Sequence, residues 1–217
     1  MRTGSLRLRA LACAVLLAAG AAAGAAPAKP RADLATAAVS EDARLVADWV
    51  VGSGDNRKRP FAIVDKKDAR LLVFSEQGRL VGATPVLIGL ATGDQGVRGM
   101  GALAPQRIPP SARTTPAGRF ATEPGRNLDG ESVVWFDYDE GLAIHRLRDD
   151  AARAARTKRL ASADPRAHRV SAGCVVVPVE FYRSVVAAWL GQRRGVLYVL
   201  PETLPIGQVF DGLANEL

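Results

Sequence analysis

The strongest constraint on the fold is a series of short apolar runs, each broken by turn residues after about ten positions. Phe61-Ala62-Ile63-Val64 and Leu71-Leu72-Val73-Phe74 flank Asp65-Lys66-Lys67-Asp68, the pattern of a β-hairpin. Further strand-forming runs cover residues 80–89 (interrupted by Pro85), 120–122, 132–138, 142–145, 174–177 and 196–200. Runs this short do not alternate with long helical patterns, which excludes a doubly wound α/β fold. The expectation is a mainly β chain with few helices: a sandwich or barrel-like mixed sheet with one or two flanking helices.

Helical patterns are sparse. Ser40 reads as an N-cap, with Glu41 and Asp42 in a first turn where acids favour the helix dipole. Leu45, Val46, Trp49 and Val50 then line one face, and Gly52-Ser53-Gly54 stops the helix. A second helix is expected where Phe181, Val185 and Trp189, with Tyr182, Val186 and Leu190, form an apolar face ended by Gly191. A third is expected from Ala151 to about Leu160, capped by Asp149 or Asp150.

Residues 1–28 read as a signal peptide. Arg2, Arg7 and Arg9 precede an uncharged stretch from Leu11 to Ala26, and small residues near Ala23 to Ala28 offer cleavage sites. A retained anchor is the alternative, but the run is short and weakly apolar for a span of about 20 residues. No other segment has a spanning pattern. Export to the periplasm or cell wall is therefore expected. Residues 29–58 read as a linker and N-terminal helix, 59–203 as the main domain and 204–217 as a C-terminal tail.

Cleavage would remove Cys13 and leave Cys174 as a single thiol in an oxidising compartment, where cysteines usually pair. It would also lower the net charge from +7 to +4. That excess is concentrated in residues 146–170, which hold eight arginines and lysines against Asp149, Asp150 and Asp164. The segment reads either as a solvated helical face or as a cationic flap that holds substrate carboxylates. Basic residues are not interleaved with aromatics, so nucleic acid is not an expected partner. A second long loop, residues 92–114, is rich in Gly and Pro, and loops of that length are usually functional or disordered.

Cys174 lies in Arg169-Val170-Ser171-Ala172-Gly173-Cys174-Val175-Val176-Val177. It reads either as a core residue at the start of a strand or as a nucleophile. A free thiol titrates near 8.5, so a nucleophile needs a neighbouring base. The chain has two histidines, His145 at the end of Leu142-Ala143-Ile144 and His168 in the basic segment, and spacing leaves both open. Gly173 allows close backbone approach and suits an oxyanion hole of N–H groups. Ser171 is placed to hydrogen-bond across the turn. No metal-ligand cluster or cofactor motif is present.

These residues resemble the L,D-transpeptidases, cysteine enzymes that cross-link bacterial peptidoglycan. That family carries a histidine at a strand end, a variable insert, and then Ser or Thr, x, Gly, Cys, positions that fall here on His145, Ser171, Ala172, Gly173 and Cys174. Its Thr-Pro-x-Gly-x-Phe strand entry is matched by Thr115-Pro116-Ala117-Gly118-Arg119-Phe120, and an earlier strand pattern by Ile63 to Gly89. The resemblance spans roughly residues 60–201.

The resemblance implies that Cys174 attacks a tetrapeptide stem before its terminal D-alanine and passes the acyl group to an amine. His145 would act as base and acid, oriented by the backbone carbonyl of Arg146. Gly173 and Ser171 would support the turn, and Arg169 and Arg148 are candidate contacts to substrate carboxylates. No cofactor and no metal are implied. The partners would be peptidoglycan stem peptides, and a monomer is expected.

The chain departs from the family pattern in several places. Ala172 replaces a common histidine, Val176 a common Asn or Arg, and Arg146 a frequent Gly or Ser. The 29 positions from His145 to Cys174 exceed the usual gap. These departures bear on substrate choice, and they keep two further readings in view: a wall-binding protein with little or no activity, and a carboxypeptidase using water. The order of His145 before Cys174 disfavours thiol endopeptidases with the reverse order. Sortases place a catalytic arginine on a strand after the cysteine, and this chain has none so placed.

Overall fold

The computed structural model describes residues 29–214. The expected signal peptide, Cys13 and the last three residues of the expected tail lie outside the described residues. Ten strands form the body of the protein. They are β1 (Phe61–Asp65), β2 (Arg70–Phe74), β3 (Leu80–Pro85), β4 (Ile88–Gly89), β5 (Gly118–Arg126), β6 (Ser132–Asp137), β7 (Leu142–Arg146), β8 (Arg169–Ser171), β9 (Val175–Val177) and β10 (Gly195–Val199). Eight of them form one mixed sheet in the order β3-β2-β1-β10-β5-β6-β7-β9, and β4 pairs with β8 apart from it. The fold is mainly β, as the runs of apolar residues predict.

The sheet curls until it nearly closes. Just after β3, Leu87 and Val176 exchange two backbone hydrogen bonds of 2.9 Å, which ties that chain segment to the β9 edge. Inside the curl, Ala62 and Val64 of β1, Val134 of β6, Ile144 of β7, Val175 and Val177 of β9, and Leu197 and Val199 of β10 form one apolar core. Tyr182, Val186 and Leu190 enter the same core. They sit on a continuous helical stretch made of α3 (Val179–Phe181), a π-turn (Tyr182–Val186) and α4 (Ala187–Trp189).

Alternate residues of β1, β2 and β10 point the other way, toward a second core. Phe61, Ile63, Leu72, Phe74, Val196 and Tyr198 meet Val46, Trp49 and Val50 of α1 (Glu41–Ser53). Both faces of these strands are thus buried, which explains why their sequences are continuously apolar rather than alternating. The α1 cap is as expected: Ser40 Oγ accepts the Ala43 N–H at 3.1 Å, and Gly54 ends the helix in a left-handed conformation.

Segments outside residues 59–203 pack against those inside. Leu34 joins the second core from the N-terminal side. Phe210 and Leu213 join it from the C-terminal side, beyond the short helix α5 (Ile206–Val209). The burial of α1 supplies the reason, since an exposed Val or Leu face gains about 1.5–3 kcal/mol per side chain on docking. Among the described residues, no helix is long and apolar enough to cross a membrane.

Candidate active site

β7 and β9 are adjacent and parallel, with Ile144 opposite Val175, His145 opposite Val176 and Arg146 opposite Val177. Ile144, Val175 and Val177 fill the main core, so His145 and Val176 face away from it. Cys174, one residue before β9, continues the alternation onto the face of His145. Two residues far apart in the chain therefore share one face of neighbouring strands.

The His145 ring is held in one tautomer. Its Nδ1 lies 2.8 Å from the Arg146 carbonyl oxygen. A carbonyl only accepts, so Nδ1 carries the proton and Nε2 keeps a free lone pair in the neutral ring. The Arg146 guanidinium binds Glu131 at 2.6 Å and leaves the carbonyl as that residue's contact with the ring. Burial lowers the His145 pKa below its usual 6.5; the Arg146 carbonyl opposes this, and the nearby Arg148 charge adds to it.

The Cys174 thiol is half-buried and donates to the Gly141 carbonyl, at 3.6 Å. Burial raises its pKa, while the Ala143 backbone N–H and the charge of Arg148 act in the opposite direction. Burial thus favours the neutral form of each group. No hydrogen bond joins Cys174 to His145 in this state. Apo catalytic contacts are often loose and tighten when substrate enters.

The turn before Cys174 is tightly built. Ser171 Oγ donates to the Cys174 carbonyl at 2.7 Å and accepts the Gly173 N–H at 3.1 Å, bridging the turn. This contact occupies the Gly173 N–H, so in this state that amide is not free to serve an oxyanion. Gly173 has φ +132°, and a Cβ there would lie 2.7 Å from the Thr114 carbonyl oxygen. Only glycine fits that position without strain. Thr115 Oγ1 donates to the Gly173 carbonyl at 2.8 Å and accepts the Gly89 N–H at 2.9 Å. The Thr-Pro strand entry and the cysteine turn, 58 residues apart, therefore touch directly.

The other candidate residues separate clearly. His168 is 3% exposed, and its Nδ1 and Nε2 face the carbonyls of Val86 (2.9 Å) and Ser162 (3.1 Å). It is a packed structural residue, which leaves His145 as the base candidate. Arg169 binds Glu202 and lies 3.2 Å from the Ala91 carbonyl, so its guanidinium is engaged internally. Arg148 is more open, with Asp129 3.7 Å away. In the basic segment, α2 (Arg153–Leu160) is exposed apart from Arg156 and Leu160, and Asp149 and Asp150 pair with Arg153 and Arg156. Leu147 and Leu160 anchor it to Leu87 and Val176.

A groove of about 400 Å³ lies on β5 and β6, lined by Glu123, Gly125, Arg126, Trp135, Phe136 and Tyr138. Trp135 pairs with Ala143 on one side and Glu123 on the other, so it shares the sheet face of His145. Tyr138 is 75% exposed and meets the Trp135 ring edge-on at 5.3 Å. The groove thus extends along the same face, across β6 and β5 from the Cys174 and His145 pair.

Two residues beside the site take roles that the sequence pattern leaves open. Thr115 opens the Thr-Pro strand entry, and a hydroxyl in a run leading to a strand is the available clue. Lys66, in the turn between β1 and β2, is 2% exposed. Nothing local in the sequence marks that burial. Among the described residues, no group of three or more His, Cys, Asp or Glu is placed to hold a metal ion.

No protein-family model and no curated protein matches the chain. Among solved structures it is similar to the crystal structure of an L,D-transpeptidase from Xylanimonas cellulosilytica, at 16% identity and a TM-score of 0.39. That match covers 65% of this chain and 60% of the other, so the chain spans less than two thirds of that relative. It is also similar to the NMR structure of the catalytic domain of the E. faecium L,D-transpeptidase, at 18% identity and a TM-score of 0.33, covering 66% of this chain and 98% of that one.

Proposed function

We propose that this protein is an exported L,D-transpeptidase acting on peptidoglycan stem peptides. The observation that carries the reading is the His145 ring, whose Nδ1–H is held by the Arg146 carbonyl so that Nε2 is a free base on the face that Cys174 shares. In the proposed reaction, Nε2 takes the thiol proton as Cys174 Sγ attacks the carbonyl before the terminal D-alanine. The peptide bond breaks, the His145 imidazolium returns the proton to the leaving amine, and a thioester remains. An acceptor amine then attacks the thioester and loses its proton to Nε2, and Cys174 is released as thiol. Arg148, beside both groups, is the available cation for a substrate carboxylate. The aromatic groove on β5 and β6 offers length for the rest of the substrate.

The test is incubation of the purified protein with disaccharide-tetrapeptides, followed by product analysis. Cross-linked dimers are expected, and Cys174→Ala abolishes them while the fold persists. His145→Ala lowers the rate by several orders of magnitude, because base and nucleophile act as a unit. Tripeptide products without dimers would assign water as the acceptor. Dimers formed by Cys174→Ala would refute the mechanism.

A further inference from the structure

A buried charged cluster stands behind the cysteine turn. Lys66, at the β1–β2 turn, places Nζ 2.7 Å from Asp94 Oδ1, 2.6 Å from the Gly93 carbonyl and 3.1 Å from the Thr115 carbonyl. The side chains of Lys66 and Asp94 are each 1% exposed. Asp94 also accepts N–H groups of Glu202, Thr203 and Leu204, at 2.7–2.8 Å. Glu202 accepts the Gly93 N–H at 2.9 Å and binds Arg169, the first residue of β8. An isolated buried ammonium is costly, so a lysine held here needs every one of these partners.

The cluster gathers four segments: the β1–β2 turn, the start of the 92–114 loop, the strand entry at Thr115 and the chain after β10. Two of its links lead to the nucleophile. Thr115 Oγ1 donates to the Gly173 carbonyl, and Arg169 begins the strand that ends at Ser171. The Thr114 carbonyl lies so close to Gly173 that a Cβ there would meet its oxygen at 2.7 Å.

We infer that Thr115, anchored by the Lys66, Asp94 and Glu202 cluster, is the positioning residue that fixes the Gly173–Cys174 turn against β7. It acts through the Gly173 carbonyl and touches no reacting atom. The turn keeps the thiol in the half-buried place where Gly141, Ala143 and Arg148 surround it. Removing the hydroxyl frees the turn and lets the thiol reach water. The inference rests on Cys174 being the nucleophile of the proposed reaction.

Thr115→Val keeps the shape and removes both hydrogen bonds, whereas Thr115→Ser keeps the hydroxyl. The first readout is iodoacetamide alkylation of Cys174 across pH, which needs no peptidoglycan. The valine variant is expected to show a midpoint lowered toward the free-cysteine value of about 8.5, and the serine variant the wild-type midpoint. In the cross-linking assay, the valine variant is expected to lose kcat on the order of 100-fold, as for about 1 Å of misplacement, with KM nearly unchanged. Serine restores kcat. A valine variant with wild-type midpoint and kcat, and only a lower Tm, would overturn the inference. If it does not fold, Glu202→Gln is measured in its place; a smaller shift in the same direction supports the inference and no shift overturns it. Should the wild type fail to cross-link while the valine variant still moves the midpoint, the proposed function fails and the positioning role stands.

Discussion

Arg148 sits where one charge acts on two titrating groups. It lowers the pKa of His145, which burial already depresses, and it lowers that of Cys174, which burial raises. Because burial depresses the His145 pKa below 6.5, its base form predominates at that pH and above and is lost on further acidification. The same depression makes the ring a source of stability loss in acid, since the unfolded chain binds the proton more readily there. Arg148→Met removes the cation, so both pKa values should rise. The expected outcome is an upward shift in the midpoint of Cys174 alkylation, larger at low salt than at high salt because an exposed charge is screened. No shift would mean that Arg148 does not act on the thiol. The candidates Cys174 and His145 were legible because their chemistry is local: a thiol after a glycine turn and a ring at a strand end. The choice between His145 and His168 was not legible from spacing, because only the fold shows His168 buried with both ring nitrogens facing backbone carbonyls.

The β6–β7 hairpin connects the 92–114 loop to the thiol. Its tip residue Glu140 accepts N–H groups from Gly99 and Met100 at 2.9 Å and from Gly101 at 3.3 Å. These bonds hold its carboxyl below the usual carboxylate range. The next residue, Gly141, receives the Cys174 thiol. A Cβ on Gly101 would meet the Asp139 carbonyl oxygen at 2.2 Å, so the loop lies directly on the hairpin tip. Glu140→Ala should therefore release residues 99–101, seen as faster amide hydrogen exchange there with β1 and β10 unchanged. Unaltered exchange in that loop would show that Glu140 does not hold it. The loop was legible from its Gly and Pro content, and the β6 and β7 runs from their apolar residues. Its attachment to their turn was not, because three backbone N–H groups leave no trace in side-chain pattern. The short strand β8 leaves no sequence trace for a similar reason: three residues paired with β4 carry no periodicity.

The molecule has two apolar cores on the two faces of β1, β2 and β10, and the second needs segments from both ends of the described chain. Trp49 of α1 packs edge-on against Tyr198 at 6.0 Å, and Phe210 lies at the same distance from both. A chain starting at residue 59 would leave Phe61, Ile63, Phe74 and Tyr198 open to water. It should fail to give a cooperative thermal transition, whereas residues 29–214 should melt as one unit; a stable fragment from residue 59 would disprove this dependence. The apolar runs, the turn residues and the helix cap at Ser40 act over a few neighbours, so local pattern is enough to specify a mainly β chain with α1 and a candidate thiol. Contacts between distant segments depend on how the sheet curls. That curling, and no local pattern, sets α1 in the core and buries Lys66 against Asp94. It alone placed Thr115 on Gly173, and it brought His145 and Cys174 onto one face through the parallel pairing of β7 and β9.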